Sequence, residues 1–184
     1  MHLTSELIDL HTLHAFNIAR EAAAPVRRSV WIRVRDDEGL EGWGEAAANA
    51  FYGETAETVQ AIIPRLAAAL EESAEGDPFA LEYIESALAH SIAGNPSARA
   101  AVSAALHDLV GKRLGVPVWK MWGLDPSAAP VSSFTIGIDD LPAMREKVRE
   151  AASYPILKIK VGSPRDEEVP VSYTHLTLPT IYSV

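Results

Sequence analysis

Hydrophobic and polar positions alternate with a period of two at the start of the chain and with a period near 3.6 further on, so strands precede helices. Val30, Ile32 and Val34 alternate with Trp31, Arg33 and Arg35. Asp36-Asp37-Glu38-Gly39 then supplies turn chemistry, and residues 40–46 return as a partner strand. A looser alternation over 3–13 gives a third strand, and the three read as an antiparallel meander. From Val59 the period changes. Val59, Ile62, Ile63, Leu66 and Leu70 form one helical stripe. Asp77-Pro78 reads as a cap opening a second helix with Leu81, Ile84 and Leu88 inward. Asn95-Pro96 opens a third, through Ala101, Val102, Ala105, Leu106 and Leu109 to Gly115, whose alanines permit close packing. A helical turn follows over 116–123.

Beyond residue 128 the order becomes strand, helix, strand. A strand spans 131–138, Asp139 or Asp140 caps a helix carrying Leu141, Met144, Val148 and Ala151, and a second strand spans 156–161. Such a unit pairs its strands in parallel through a right-handed crossover, yet cannot by itself bury both faces of its sheet. The expected fold is therefore an α+β domain over 1–127, followed over 128–170 by the opening strands and helix of a truncated α/β barrel. Residues 171–184, VSYTHLTLPTIYSV, carry no Asp, Glu, Lys or Arg in a chain that is 22% charged. This string resembles translated read-through of a sequencing-library adapter, is read as a non-native tail, and leaves His175 without functional weight.

Composition narrows the function. With 48% apolar residues the chain can build a core, and a formal charge of -9 argues against nucleic acid and anionic membranes, both of which need basic patches. A small molecule is the better partner. The absence of cysteine removes disulfides and thiolate metal sites. No apolar run approaches the roughly 18 residues of a membrane span and no signal peptide is evident, so the cytoplasm is the default location.

The strongest chemical signal is Leu157-Lys158-Ile159-Lys160-Val161-Gly162. On a strand Leu157, Ile159 and Val161 share one face while Lys158 and Lys160 share the other. If helices cover the apolar face, the lysines point into a barrel near the strand's C-terminal end, where barrel active sites are built. Two neighbouring ammonium groups disfavour each other's charge, which suits one to act as a base. Spacing alone also admits a solvent-exposed edge strand. His107-Asp108 reads as structural, the acidic turn at 36–38 as solvated, and the remaining histidines show no ligand spacing.

Together with Gly42-Trp43-Gly44-Glu45-Ala46, Asn95-Pro96-Ser97-Ala98, residues 104–109, and Gly115-Val116-Pro117-Val118, the lysine strand resembles the enolase superfamily in its muconate-lactonizing subgroup. The resemblance covers residues 1–170. Phe134-Thr135-Ile136-Gly137-Ile138-Asp139 is most similar to dipeptide epimerases of the L-Ala-D/L-Glu type. The resemblance implies a magnesium-dependent isomerase that removes a proton α to a carboxylate through an enediolate. Lys160 would be the base, Lys158 its electrostatic partner, and Thr135 and Arg20 would contact substrate, with Arg27 or Arg28 as alternatives to Arg20. The loop 47–53, with Phe51 and Tyr52, would be a second closing element.

In the family the metal ligands and the opposing lysine lie beyond Pro170. The fragment alone is accordingly expected to bind no magnesium and to be inactive, and the resemblance admits a homo-oligomer for the full-length enzyme. A muconate-type cycloisomerase or o-succinylbenzoate synthase shares the lysine motif and stays open. So does a non-catalytic interaction module, for which an early genuine stop codon would speak.

Overall fold

The computed structural model describes residues 1–14, 16–17, 26–73 and 76–162. Arg20 and the expected non-native tail lie outside them. Two compact units emerge, one from residues 1–10 and 26–128, the other from the described residues of 11–25 together with those from 129 onward. The division expected at residue 127 would leave 11–25 with the first unit. The segment goes to the second because the Ile138 N–H donates to the Asn17 carbonyl at 3.0 Å and the Asn17 side chain donates back to the Ile138 carbonyl at 3.2 Å. Among the described residues no helix is long and apolar enough to cross a membrane.

The first unit is built on strands β1 (His2–His11), β2 (Val26–Arg35) and β3 (Glu41–Ala46), in the order β1-β2-β3. Val30, Ile32 and Val34 are fully buried, as their alternation requires, and β2 pairs antiparallel with β3 from Val30↔Ala46 to Arg35↔Glu41. Arg33 reaches Thr4 and Arg28 reaches Asp9, so the β1 partner number rises as the β2 number falls, which makes this pairing antiparallel too.

Three helices, α1 (Ala56–Ser73), α2 (Leu81–Ser91) and α3 (Pro96–Leu114), share a core with one face of the sheet, and the short α4 (Val118–Met121) follows. The α1 stripe is as expected, with Val59, Ile63, Leu66 and Leu70 buried. The second helix starts later than its proline cap suggests. Asp77 instead closes a turn, its side chain accepting the Phe79 N–H at 2.9 Å, and α2 begins at Leu81. A short acidic side chain after a helix competes for nearby N–H groups in non-helical conformations, and here the turn wins.

The fit of α3 on β3 explains the Gly-Trp-Gly run. Gly42 and Gly44 point toward α3, and a Cβ on either would stand 1.9 or 2.0 Å from the carbonyl oxygens of Ala105 and Ala101. Helix backbone therefore lies directly on strand backbone, a contact that only glycine facing alanine permits. At its N-terminus α3 is held by the buried Glu54, which accepts the Ser97 N–H at 3.0 Å and the Ser97 hydroxyl at 2.8 Å. A carboxylate there satisfies an otherwise unpaired N–H and complements the helix dipole.

Asp36 departs from the expectation of a solvated acidic turn. It is only 5% exposed. One oxygen accepts the N–H groups of Glu38 and Leu40, both at 3.0 Å, and the other accepts Arg113 of α3 at 2.8 Å. Burial would raise its pKa, but the backbone bond from Leu40, Arg113 and the backbone bond from Glu38 outweigh burial and lower it. A carboxyl with a lowered folded-state pKa contributes stability above its unfolded pKa and loses it as pH falls through the folded one. Asp36→Asn is expected to cost roughly 2 kcal/mol at neutral pH, and the gap from wild type should close below about pH 4. Urea unfolding at both pH values checks this.

The second unit contains β4 (Ser133–Ile136), α5 (Leu141–Glu150) and β5 (Ile156–Ile159), with β4 and β5 parallel in the register Ser133↔Ile156 to Ile136↔Ile159. Of the two candidate caps, Asp140 holds α5 by accepting the Ala143 N–H at 2.8 Å.

Candidate active site

The side on which the lysines lie follows from packing in the second unit. Leu157 and Ile159 pack with Phe134, Ile136, Met144 and Val148 in the small core between the strands and α5. Strand alternation then turns Lys158 and Lys160 to the face away from α5. Thr135, between Phe134 and Ile136, turns the same way and stands in register with Lys158. The Lys160 N–H donates to the Ile136 carbonyl at 2.9 Å, so the pairing continues one residue past β5. Three of the residues singled out from sequence thus share one face of one parallel pair. Lys158 is exposed, and Thr135 and Lys160 are half-buried.

Several groups fix the C-terminal end of β4, and the sequence did not disclose them as a set. A Cβ on Gly137 would meet the backbone of Asn17 at 3.2 Å and the Phe16 ring at the same distance, so glycine leaves room for the 16–17 segment. His14 and Glu150 approach to 2.5 Å at the last turn of α5. Asp139 accepts the ammonium of the buried Lys147 at 2.9 Å. That hydrogen bond first, then the Asp140 N–H, holds the Asp139 carboxyl below the usual carboxylate range, with the charges of Lys147 and His14 adding to it. The one sequence signal was glycine inside a strand pattern, which marks a close backbone approach.

The other candidates separate clearly. Arg20 lies outside the described residues. Arg28 is committed within β2, donating to Asp9 at 2.9 Å and standing 3.6 Å from Glu57. The Asp9 hydrogen bond is the main reason its pKa is raised. Arg27 is exposed on the same strand. Phe51 and Tyr52 sit on a 3-10 turn capped by Asn49, in edge contact with each other and about three-quarters exposed. His107 bonds the Ser103 carbonyl, while Asp108 accepts the Trp43 N–H at 2.8 Å and Lys112 at 2.7 Å, both structural uses. Among the described residues no group of three or more His, Asp or Glu side chains is placed to hold a metal ion.

Comparison with known proteins gives a consistent picture. Residues 5–123 match the model of the mandelate racemase / muconate lactonizing enzyme N-terminal domain. The L-Ala-D/L-Glu epimerase of Bacteroides thetaiotaomicron is 38% identical over 170 residues, 92% of this chain and 43% of that protein. The muconate lactonizing enzyme of Pseudomonas fluorescens, solved with muconolactone, superposes with a TM-score of 0.80 at 24% identity, over 92% of this chain and 48% of that one. The dipeptide epimerase of Enterococcus faecalis, solved with Mg and L-Leu-L-Tyr, gives 0.74 at 23% identity, over 94% and 50%. At these identities the two structures speak for the fold. The chain spans about half the length of the relatives it matches.

Proposed function

Because the chain belongs to the mandelate racemase / muconate lactonizing enzyme family of the enolase superfamily, and the curated relatives it resembles include epimerases and a racemase, we propose that it is the capping domain and barrel opening of a dipeptide epimerase. The observation that supports this reading is the common face of Thr135, Lys158 and Lys160 at the C-terminal end of a parallel strand pair. In this reading Lys160 takes the proton α to a substrate carboxylate, and its half-buried position shields the transfer from water. Lys158 acts as its electrostatic partner, Thr135 lines the pocket beside them, and Arg20 meets a substrate carboxylate. We place the magnesium ligands of the whole enzyme outside the described residues and assign the proton transfer to Lys160 alone. The 38% identity to an L-Ala-D/L-Glu epimerase favours a dipeptide over a lactone.

The test uses an enzyme in which this chain is followed by the rest of its barrel. In heavy water it should exchange the α-proton of L-Ala-L-Glu with turnover and leave muconolactone unchanged. Processing of muconolactone without dipeptide exchange would replace this reading by a cycloisomerase. Inertness toward both would favour the non-catalytic module.

A further inference from the structure

We propose that His14 is a positioning residue: when protonated it straps the segment around Asn17 against the strand end that carries the candidate base, so that the surroundings of Lys160 tighten in mild acid. The β4–β5 register, carried one step past Ile136↔Ile159, sets Gly137 beside Lys160, and the bond from the Lys160 N–H to the Ile136 carbonyl shows that the pairing reaches that far. Strand alternation turns the open side of Gly137 the way Thr135 faces. That side is occupied, because the Asn17 backbone and the Phe16 ring lie 3.2 Å from where a Cβ would stand. Residues 16 and 17 therefore stand beside the candidate base, and whatever holds them there sets its environment.

Two kinds of contact hold this segment. The first is the pair of hydrogen bonds between Asn17 and Ile138, made by amide groups whose charge does not change with pH. The second is ionic: His14 Nε2 lies 2.5 Å from Oε2 of Glu150 at the last turn of α5. A second carboxylate, Asp139, faces the same ring from the connection between β4 and α5. The hydrogen bond from Lys147 and then that from the Asp140 N–H lower its pKa, and the His14 charge adds to them, so Asp139 stays ionised. Lys147 of α5 is the cation in this cluster, 2.9 Å from Asp139, and it offsets that charge. Glu150 is left as the counter-ion of His14, while Glu146, one turn earlier on α5, pairs with Arg149.

The strength of this strap depends on a proton. A neutral imidazole shares only a hydrogen bond with a carboxylate, whereas an imidazolium adds opposite charge to it. Glutamate ordinarily ionises near pH 4.3 and histidine ordinarily gives up its proton near pH 6.5, so such a pair is strongest between about these values and weakens as pH rises beyond them. The two side chains are 38% and 46% exposed, so solvent screens the pair. A partly screened pair of this kind shifts the ratio of docked to released segment by about two- to fivefold.

Amide hydrogen exchange on the whole chain tests this, read at two positions in one experiment. The Ile138 N–H is covered by the Asn17 carbonyl and reports the strap, whereas the Lys160 N–H is covered by the Ile136 carbonyl and reports the strand pair. Corrected for the intrinsic pH dependence of exchange, protection at Ile138 should fall about two- to fivefold between about pH 5.5 and about pH 8, while protection at Lys160 holds. Glu150→Gln keeps an acceptor but removes the charge, and should lower Ile138 protection at the acidic end and flatten its pH dependence. His14→Lys, a cation throughout this range, should keep the protection at the alkaline end. Glu146→Gln should change neither amide. Wild-type Ile138 protection that ignores pH, or that Glu150→Gln leaves intact, would overturn the proposal. So would an equal loss at Lys160, which would mean that the whole unit opens and no strap is released. The wild-type titration needs no variant to fold. The strap takes its importance from the reading of Lys160 as base, but exchange needs no turnover, so failure of the epimerase reading and failure of the strap are told apart.

Discussion

Replacing Gly44 by alanine is expected to unfold the first unit, at a cost above about 4 kcal/mol. The added Cβ would stand 2.0 Å from the Ala101 carbonyl oxygen, 2.9 Å from its carbon and 3.0 Å from the Ala105 nitrogen. All three are helix backbone, so no side chain can rotate aside, and the facing residues are already alanine. Relief requires α3 to lift off the sheet, which opens the core at Val102, Ala105 and Leu106 together. Gly42→Ala should behave alike. Gly53→Ala is the control: nothing lies within 4 Å of the place its methyl group would take, and its φ of 84° leaves only left-handed strain, about 1 kcal/mol. Chemical unfolding followed by tryptophan fluorescence separates the cases. A stable Gly44→Ala protein would mean that α3 does not rest on β3.

The same position shows what the sequence disclosed and what it did not. The alternation of Val30, Ile32 and Val34 and the stripe Val59, Ile63, Leu66 and Leu70 were legible because each depends only on one element's own period and on which face is buried. Gly42 and Gly44 carried no physical meaning until α3 was laid against them, since a missing side chain announces nothing about its neighbour. Asp36 read as a turn residue because its partner Arg113 is 77 positions away. His14 and Glu150 are separated by 136 positions, beyond any local pattern.

The candidate site divides along the same line. That Lys158 and Lys160 share a face was fixed by their spacing, and which face became readable once Leu157 and Ile159 could be assigned to a helix-covered side. That Thr135 stands beside Lys158 was not readable, because inter-strand register depends on the length and packing of the intervening helix. Asp77 shows the opposite failure: its local chemistry was read correctly as capping, but the N–H it caps belongs to a turn ahead of α2.

In an enzyme completing this chain, Lys160→Ala should lower α-proton exchange for one substrate epimer by about three orders of magnitude, within the usual contribution of a positioned general base. The reasoning starts from its place. Its backbone is pinned by the bond to the Ile136 carbonyl, and its side chain is turned away from the α5 core on the same face as Thr135. A group fixed to one strand end approaches a bound substrate from one side only, so it can remove the proton of one configuration and not of its mirror. Exchange of the other epimer depends on a second base and should survive Lys160→Ala. If Lys158, two residues earlier and exposed, serves as the electrostatic partner proposed above, Lys158→Ala should retain a measurable fraction of exchange for both epimers. Following deuterium incorporation separately for each epimer distinguishes these outcomes. Equal loss for both epimers in a folded Lys160 variant would argue against a one-sided base, and full exchange in that variant would remove Lys160 from the chemistry altogether.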